Sequence, residues 1–371
     1  MVDTKNQYLA IKPQVDAAID AVLESAAYIN GKAVQDFSKN LASYLNVDYV
    51  IPCANGTDAL QIAMMALGLQ PGDEVITPSF TYIATTEVVA LLGLTPVFVD
   101  VDPVTYCMDI ESLKKAITPK TKAIVPVHLY GHAAPMEEIL AIANEHHLFV
   151  IEDNAQAIGC DYTFSNGTTK KTGTMGHIGA TSFYPSKNLG AFGDGGALFT
   201  NDKVLAEKMT MIANHGQSAR YYHDVVGCNS RLDSIQAAIL NVKLEKLDQY
   251  NAARKVVAQY YNNAFSEVNE IVTPAVRKYS THVYHQYTIQ LMNVDREKFM
   301  AHLAGLDIPC MIYYPVPGHL QKMFGENKYQ HLQLPVTNSL TPCVCSLPVH
   351  TEMDETQLEY ITQGVISFFK K

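Results

Sequence analysis

Long apolar runs are absent from this chain of 371 residues. No run approaches the roughly 18 apolar residues that cross a bilayer, so we expect no membrane span. The first eight residues lack the basic and apolar regions of a secretory signal. The seven cysteines are an odd number without paired metal spacing, which favours a reducing compartment. Together these absences predict a cytoplasmic protein.

Basic clusters are missing as well. The chain has 27 Lys and Arg against 37 Asp and Glu, a formal net charge of -10, and no basic stripe. We therefore expect no nucleic-acid partner, and any anionic ligand must be met by local charges. With 48% apolar and 17% charged residues, the chain can build a sizeable core, divided between a large and a small domain.

Apolar segments of strand length alternate with helical stretches in the first half of the chain. The strand candidates are 74–76, 96–99, 123–127 and 149–151. This alternation predicts an α/β fold with a mainly parallel sheet. Residues 232–258 predict one long helix, and 163–174 a surface hairpin or loop. We place a large domain at 1–245 and a smaller α+β domain at 246–371, with a strand at 284–289.

Lys187 stands between an apolar, strand-like run and a glycine-rich loop within residues 182–196. Glycines let the backbone approach a bulky planar ligand, and a lysine in that setting suits a Schiff base with a carbonyl cofactor. Most lysines are surface residues whose charge stays in water. This segment alone therefore leaves both interpretations open.

Asp153 follows a buried-strand pattern at 148–152 and favours the cofactor interpretation. Ligands of open α/β sheets bind beyond the carboxyl ends of strands. A carboxylate there can pair with a protonated pyridine nitrogen, and Gln156 in the same turn can reach a ring hydroxyl. The alternative is that Asp153 only caps a helix.

A turn that opens a helix at 53–67 is a candidate phosphate site. The amides of Gly56 and Thr57, the Thr57 hydroxyl and the helix dipole together would hold a phosphate. Ser182, five residues before Lys187, adds a hydroxyl near the same pocket. The alternative is that this segment is simply a turn and a helix cap.

Two further patterns are set aside. The glycines at 173–179 lack the spacing, strand and acid of a dinucleotide site. His128 and His132 lie on a strand end and a turn, and His282 and His285 have no partner cysteines or acids. We therefore expect no metal site.

Six motifs resemble, in order and in spacing, those of the DegT/DnrJ/EryC1/StrS family of sugar aminotransferases. They lie at 53–60, 78–85, 152–156, 182–196, 229–233 and 313–317. The resemblance covers nearly the whole chain and implies an aspartate-aminotransferase-like (type I) fold with pyridoxal 5'-phosphate as cofactor. Similar proteins that dehydrate sugars have histidine at the lysine position, so Lys187 favours transamination.

The resemblance also implies roles for the matching residues. Lys187 would bond to the cofactor aldehyde and shuttle protons, and Asp153 would pair with the pyridine nitrogen. Gln156 would contact the ring oxygen, and Tyr82 would stack on the ring face. The phosphate would be held by Gly56, Thr57 and Ser182, with Asn229 reaching in from a second subunit. A homodimer with shared active sites is therefore expected.

The segments at 214–223 and 227–233 look like those of enzymes that aminate UDP-2-acetamido-2-deoxy-3-oxo-glucuronate for bacterial surface polysaccharides. The amino donor would be L-glutamate, which leaves as 2-oxoglutarate. Arg220 and Arg231 would bind the anionic groups of such a substrate, unless they only pair with nearby acids. Tyr314 and His319 would complete the substrate contacts. The alternatives are a dTDP-3-keto-6-deoxyhexose 3-aminotransferase and a non-catalytic regulatory or binding protein of the same fold.

Overall fold

The computed structural model describes residues 1–325 and 328–370. Its strands are β1 (Tyr49–Cys53), β2 (Glu74–Pro78), β3 (Thr95–Val99), β4 (Thr121–Ile124), β5 (Phe149–Asp153), β6 (Asp161–Thr163), β7 (Thr169–Lys171), β8 (Ile178–Ser182), β9 (Gly196–Thr200), β10 (Gln217–Ala219), β11 (Tyr222–His223), β12 (Ile271–Val272), β13 (Tyr287–Leu291) and β14 (Val344–Leu347). Its α-helices are α1 (Thr4–Ala10), α2 (Lys12–Ser25), α3 (Lys32–Leu45), α4 (Gly56–Ala66), α5 (Ala84–Leu91), α6 (Ile110–Ala116), α7 (Met136–Glu145), α8 (Lys203–Ala213), α9 (Ser234–Leu244), α10 (Leu247–Ala264), α11 (Arg296–Ala304), α12 (Pro335–Leu340) and α13 (Glu355–Ser367).

The largest sheet has seven strands in the order β1-β9-β8-β5-β4-β2-β3. Strands β8, β5, β4, β2 and β3 run parallel, and β9 is antiparallel to both of its neighbours. Successive residues of the central strands enter different cores: Val150 packs in one cluster and Ile151 in another. The sheet is thus buried on both faces, as parallel sheets are. The predicted α/β fold with a mainly parallel sheet is confirmed.

The carboxyl-terminal part of the chain forms a separate antiparallel sheet, β12-β13-β14. Its core combines residues of this sheet with residues of α10, α11 and α13, among them Tyr261, Ile289, Phe299 and Val365. This is the α+β composition that the sequence predicts for the smaller unit. The domain boundary at 245–246 stays a prediction.

Two local predictions differ from the structure in their bounds, and a third agrees with it. The single helix at 232–258 is wrong, because α9 ends at Leu244 and α10 begins at Leu247. The strand at 284–289 begins later, at Tyr287, because Tyr284 has a φ of 45° and the chain bends before β13. The polar segment at 163–174 is an antiparallel hairpin, as predicted, formed by β6 and β7.

Among the described residues, none of the helices combines the length and apolarity needed to cross a bilayer. All seven cysteines are free thiols.

Candidate active site

A cavity of about 870 Å³ lies where the carboxyl ends of β5 and β8 meet the start of α4. This is the edge at which open α/β sheets bind ligands. The structure brings most of the predicted site residues to its wall: Gly56, Thr57, Tyr82, Asp153, Gln156, Ser182, Lys187 and Tyr314.

Lys187 enters the cavity from a tightly folded loop. The Lys187 N–H donates to the Tyr184 carbonyl over 2.8 Å. The turn closes so tightly at Gly190 that a Cβ there would lie 2.4 Å from the Pro185 carbonyl oxygen. Burial lowers the pKa of Lys187 to about 8, although the carboxylate of Asp153 partly opposes this shift. The amine is therefore neutral in a useful fraction of molecules near neutral pH, as a nucleophile must be.

Asp153 is the last residue of β5. Its Oδ2 accepts a hydrogen bond of 2.8 Å from the Thr85 hydroxyl, and its Oδ1 accepts one of 3.1 Å from the Ala155 N–H. The residues after β5 form turns rather than a helix, so the helix-cap interpretation is wrong. Sequence reasoning gave Thr85 no role, although it lies within the motif at 78–85.

The end of β5 is held from behind by Glu152, which is completely buried. Its carboxylate accepts hydrogen bonds from the backbone N–H groups of Gly173, Met175 and Gly176. It also accepts one from His128 Nε2 over 2.8 Å. This satisfied network fixes the strand whose next residue is Asp153.

The first turn of α4 offers free backbone donors to the cavity. The Asn55 side chain caps the Asp58 N–H at 2.8 Å. Within the described residues, the N–H groups of Gly56 and Thr57 have no acceptor, and they point from a helix start that favours an anion. A Cβ at Gly56 would lie 2.7 Å from Ser182 Cβ, so the glycine lets the Ser182 hydroxyl approach this helix start.

Gln156, Tyr82 and Tyr314 form one wall of the cavity. Gln156 Oε1 accepts from the Tyr130 N–H at 2.7 Å, and Gln156 Nε2 donates to the Tyr314 hydroxyl at 2.8 Å. One amide hydrogen of Gln156 remains for a ligand. Tyr82 is 55% exposed, and its ring centroid lies 6.0 Å from that of Tyr314.

Four predicted residues do not line this cavity: Arg220, Asn229, Arg231 and His319. Arg220 is exposed with its guanidinium 5.2 Å from the Tyr221 ring centroid, and Asn229 is exposed too. His319 is buried elsewhere, with Nδ1 bonded to the Ser79 hydroxyl at 2.7 Å. Their roles stay predictions.

The cavity residues fit pyridoxal phosphate. The glycine-lined helix start suits a phosphate, the anchored carboxylate of Asp153 suits a protonated ring nitrogen, and the low pKa of Lys187 suits bonding to an aldehyde. The model of the DegT/DnrJ/EryC1/StrS aminotransferase family matches residues 10–366. The chain belongs to this family. It is thereby a sugar aminotransferase that works with pyridoxal phosphate.

Individual members of the family are similar over almost the full chain. A UDP-2-acetamido-2-deoxy-3-oxo-D-glucuronate aminotransferase of Pseudomonas aeruginosa is 46% identical over 97% of this chain and 97% of its own length. A protein of Geobacillus stearothermophilus named a pleiotropic regulatory protein is 44% identical over 100% and 98%. A crystal structure of a family aminotransferase from Brucella abortus, 42% identical, covers 100% of this chain and 99% of its own with a TM-score of 0.93. The predicted fold, family and cofactor are confirmed.

Proposed function

We propose that this protein transfers the amino group of L-glutamate to the 3-keto carbon of a nucleotide-linked sugar, with UDP-2-acetamido-2-deoxy-3-oxo-glucuronate as the acceptor. The observation that carries the proposal is the meeting of Lys187, Asp153 and the start of α4 in one cavity. The choice of acceptor is supported by the similarity to the Pseudomonas aeruginosa enzyme. Surface polysaccharide synthesis in the cytoplasm is the setting in which such a product is used.

In this proposal, different residues of the chain carry out proton transfer, charge stabilisation and phosphate binding. When bound, pyridoxal phosphate supplies an aldehyde carbon and an electron-withdrawing ring. Lys187 Nζ removes the proton from the glutamate α-carbon and later delivers one to the sugar C3, which requires the amine to gain and lose protons near its pKa of about 8. Asp153 holds a proton on the ring nitrogen through its charge. Gly56, Thr57 and Ser182 hold the phosphate.

The first test is the visible spectrum of the purified holoprotein before and after addition of L-glutamate. We expect the cofactor band to change with glutamate alone, with release of at most one equivalent of 2-oxoglutarate, and 2-oxoglutarate to accumulate beyond that amount only when the keto-sugar acceptor is also present. Lys187→Ala is the matched control and should release no 2-oxoglutarate. A cofactor band that ignores glutamate would contradict the choice of donor.

The same assay distinguishes the proposed function from two alternatives. Turnover with dTDP-3-keto-6-deoxyhexoses but not with the UDP-linked uronate would favour the alternative acceptor class. The name of the Geobacillus stearothermophilus relative favours a regulatory role as a second candidate. Cofactor binding without turnover on either acceptor class would support that role, whereas steady turnover would exclude a purely regulatory protein.

We infer that two copies associate and share their sites, with Asn229 of each copy completing the cofactor site of the other. The surface around β10 and β11 supports this inference because it exposes Tyr221 (77%), Tyr222 (70%) and Val226 (84%) to solvent. Exposed apolar patches of this kind mark association surfaces.

Mixed dimers test the shared site. Lys187→Ala and Asn229→Ala proteins should each be poorly active alone. If the sites are shared, a dimer of one chain of each kind contains one intact site, so mixing should restore activity. No recovery after verified subunit exchange would place both residues in the site of one chain.

A further inference from the structure

Lys243 on α9 is a buried lysine that the proposed mechanism does not use. It is 1% exposed, and its Nζ donates a hydrogen bond of 2.5 Å to the carbonyl of Gly190. Gly190 belongs to the Lys187 loop, residues 183–195, which joins β8 to β9. The same Nζ lies 5.4 Å from the centroid of the Phe192 ring, which is also in this loop. Both contacts place the charged end of Lys243 against the loop that carries Lys187.

Burial of the Lys243 charge carries a cost in stability. Within residues 1–325 and 328–370 no carboxylate forms a salt bridge with it, and burial, together with the nearby charge of Arg254, lowers its pKa to about 8. The amine is still mostly protonated at pH 7, so its bond to Gly190 is charge-assisted. A side chain that only filled this space would be apolar, because an apolar residue avoids the desolvation penalty. The contact with the Gly190 carbonyl therefore accounts for a lysine at this position.

The carbonyl of Gly190 lies in the tight turn three residues after Lys187. Among the described residues, Lys243 is its only hydrogen-bond donor. The turn leaves little room for adjustment, since a Cβ at Gly190 would lie 3.0 Å from the Tyr184 carbonyl oxygen. That same carbonyl accepts the hydrogen bond from the Lys187 N–H. The turn therefore links the position of the Gly190 carbonyl to that of the Lys187 backbone.

Other hydrogen bonds hold the loop on either side of Gly190. The Asn188 side chain bonds to three groups from distant segments: Asn251, the Val283 carbonyl and His285. The Phe192 N–H donates to Gln236 Oε1 over 2.8 Å. Gln236 lies two turns before Lys243 on the same face of α9. Loss of the Lys243 contact would thus loosen the turn at Gly190 without releasing the whole loop.

We propose that Lys243 is a positioning residue whose ammonium group, through the Gly190 carbonyl, holds the turn that aims Lys187 Nζ at the cofactor aldehyde. The turn is then in place before pyridoxal phosphate arrives, so the bond to Lys187 forms at a smaller cost in conformational entropy. Lys243 acts only through the loop, because it does not line the cavity. This inference rests on the proposed role of Lys187.

A double-mutant cycle tests this role through cofactor affinity. Lys243→Met removes the donor and keeps a long, unbranched side chain. The buried Gly190 carbonyl then loses its partner, so the Kd of the apoprotein for pyridoxal phosphate should rise about tenfold. At subsaturating cofactor, borohydride should trap correspondingly less of it on residue 187. In the Lys187→Ala background there is no bond to the cofactor to weaken, and Lys243→Met should leave the Kd unchanged.

Lys246→Met is the matched control, because Lys246 lies three residues further along and lines a groove between α2, α3 and α9 instead. Its Kd should equal that of wild type. An equal rise in Kd for Lys243→Met in both backgrounds would indicate a general disturbance of the fold and overturn this inference alone, as would no rise in either. Cofactor trapped in the wild-type protein on a lysine other than Lys187 would overturn the proposed role of Lys187, and this inference with it.

A second measurement needs no variant. If the Lys243 contact favours the bond at Lys187, that bond must favour the contact by the same factor. Trace acylation of the wild-type protein with acetic anhydride, followed by peptide mass mapping, should therefore label Lys243 about tenfold more slowly in the holoprotein than in the apoprotein. Lys246 should be labelled at the same rate in both forms. An equal rate at Lys243 in the two forms would overturn the proposal.

Discussion

Gly56→Ala tests the phosphate cradle most directly, because the added methyl has nowhere to go. It would lie 2.7 Å from Ser182 Cβ and 3.3 Å from Ser182 Cα, whereas carbon atoms pack best about 3.5–4.0 Å apart. The start of α4 must therefore move away from the end of β8 by on the order of 1 Å. Strand β8 cannot yield easily, since it is paired with β5 on one side and β9 on the other.

Overpacking of this kind costs about 1–3 kcal/mol. If the displacement spoils the geometry that holds the phosphate, that cost appears as a rise of about 5- to 150-fold in the Kd for pyridoxal phosphate. If it strains the apoprotein and the holoprotein equally, it appears instead as a lower Tm with an unchanged Kd. Fluorescence titration of apoprotein and thermal unfolding with and without cofactor separate the two cases.

Gly305→Ala provides the matched control, because the same methyl at that position would meet its nearest atom, the His302 carbonyl oxygen, at 3.4 Å. This is ordinary van der Waals contact, and we expect wild-type affinity. A Gly56→Ala protein that binds pyridoxal phosphate as tightly as Gly305→Ala and also unfolds at the wild-type Tm would refute the reasoning, because the cost of the added methyl would then appear in neither quantity.

Three further predictions concern the cofactor end of the cavity. Lys187→Ala should lower turnover at least ~10²-fold and abolish borohydride trapping of the cofactor. The variant should still bind cofactor in equilibrium dialysis. Trapping of the cofactor on another lysine would contradict this prediction. Asp153→Asn removes the charge that raises the pKa of Lys187. The pH midpoint for the reaction of the apoprotein with pyridoxal phosphate should therefore move below about 8. A midpoint that moves upward would contradict the direction in which Asp153 shifts this pKa. Thr85→Val removes the 2.8 Å hydrogen bond to the Asp153 carboxylate, which is worth about 1.5–3 kcal/mol. The substitution should weaken cofactor binding without blocking adduct formation at Lys187. Titration with pyridoxal phosphate, beside a Thr86→Val control, measures this effect.

The sequence predicts those parts of the site that depend on local pattern. Asp153 ends a run of buried apolar residues, and the structure places it at the end of β5, since a parallel strand must be apolar on both faces. Gly56 and Thr57 precede an apolar helix, and the structure begins α4 at Gly56. In both cases a few consecutive residues carry the whole signal.

The parts that sequence reasoning missed depend on contacts between distant segments. The break after α9 has no glycine or proline to mark it in the sequence. Glu245 and Lys246 both keep backbone angles in the right-handed helical region, and Leu247 packs in the core. Likewise, the hydrogen bond from His285 to Asn188 joins residues far apart in the chain, and apolar periodicity carries no information about it. Thr85 is recognisable only once α5 is packed beside the end of β5.

The wide spread of the cavity residues along the chain has a consequence for how the protein is made. The lysine loop, the start of α4 and the wall at Tyr313 and Tyr314 come from segments that emerge from the ribosome at very different times. Pairings between such distant segments form late in folding. We therefore expect pyridoxal phosphate to find this cavity complete only after the last of these segments has docked.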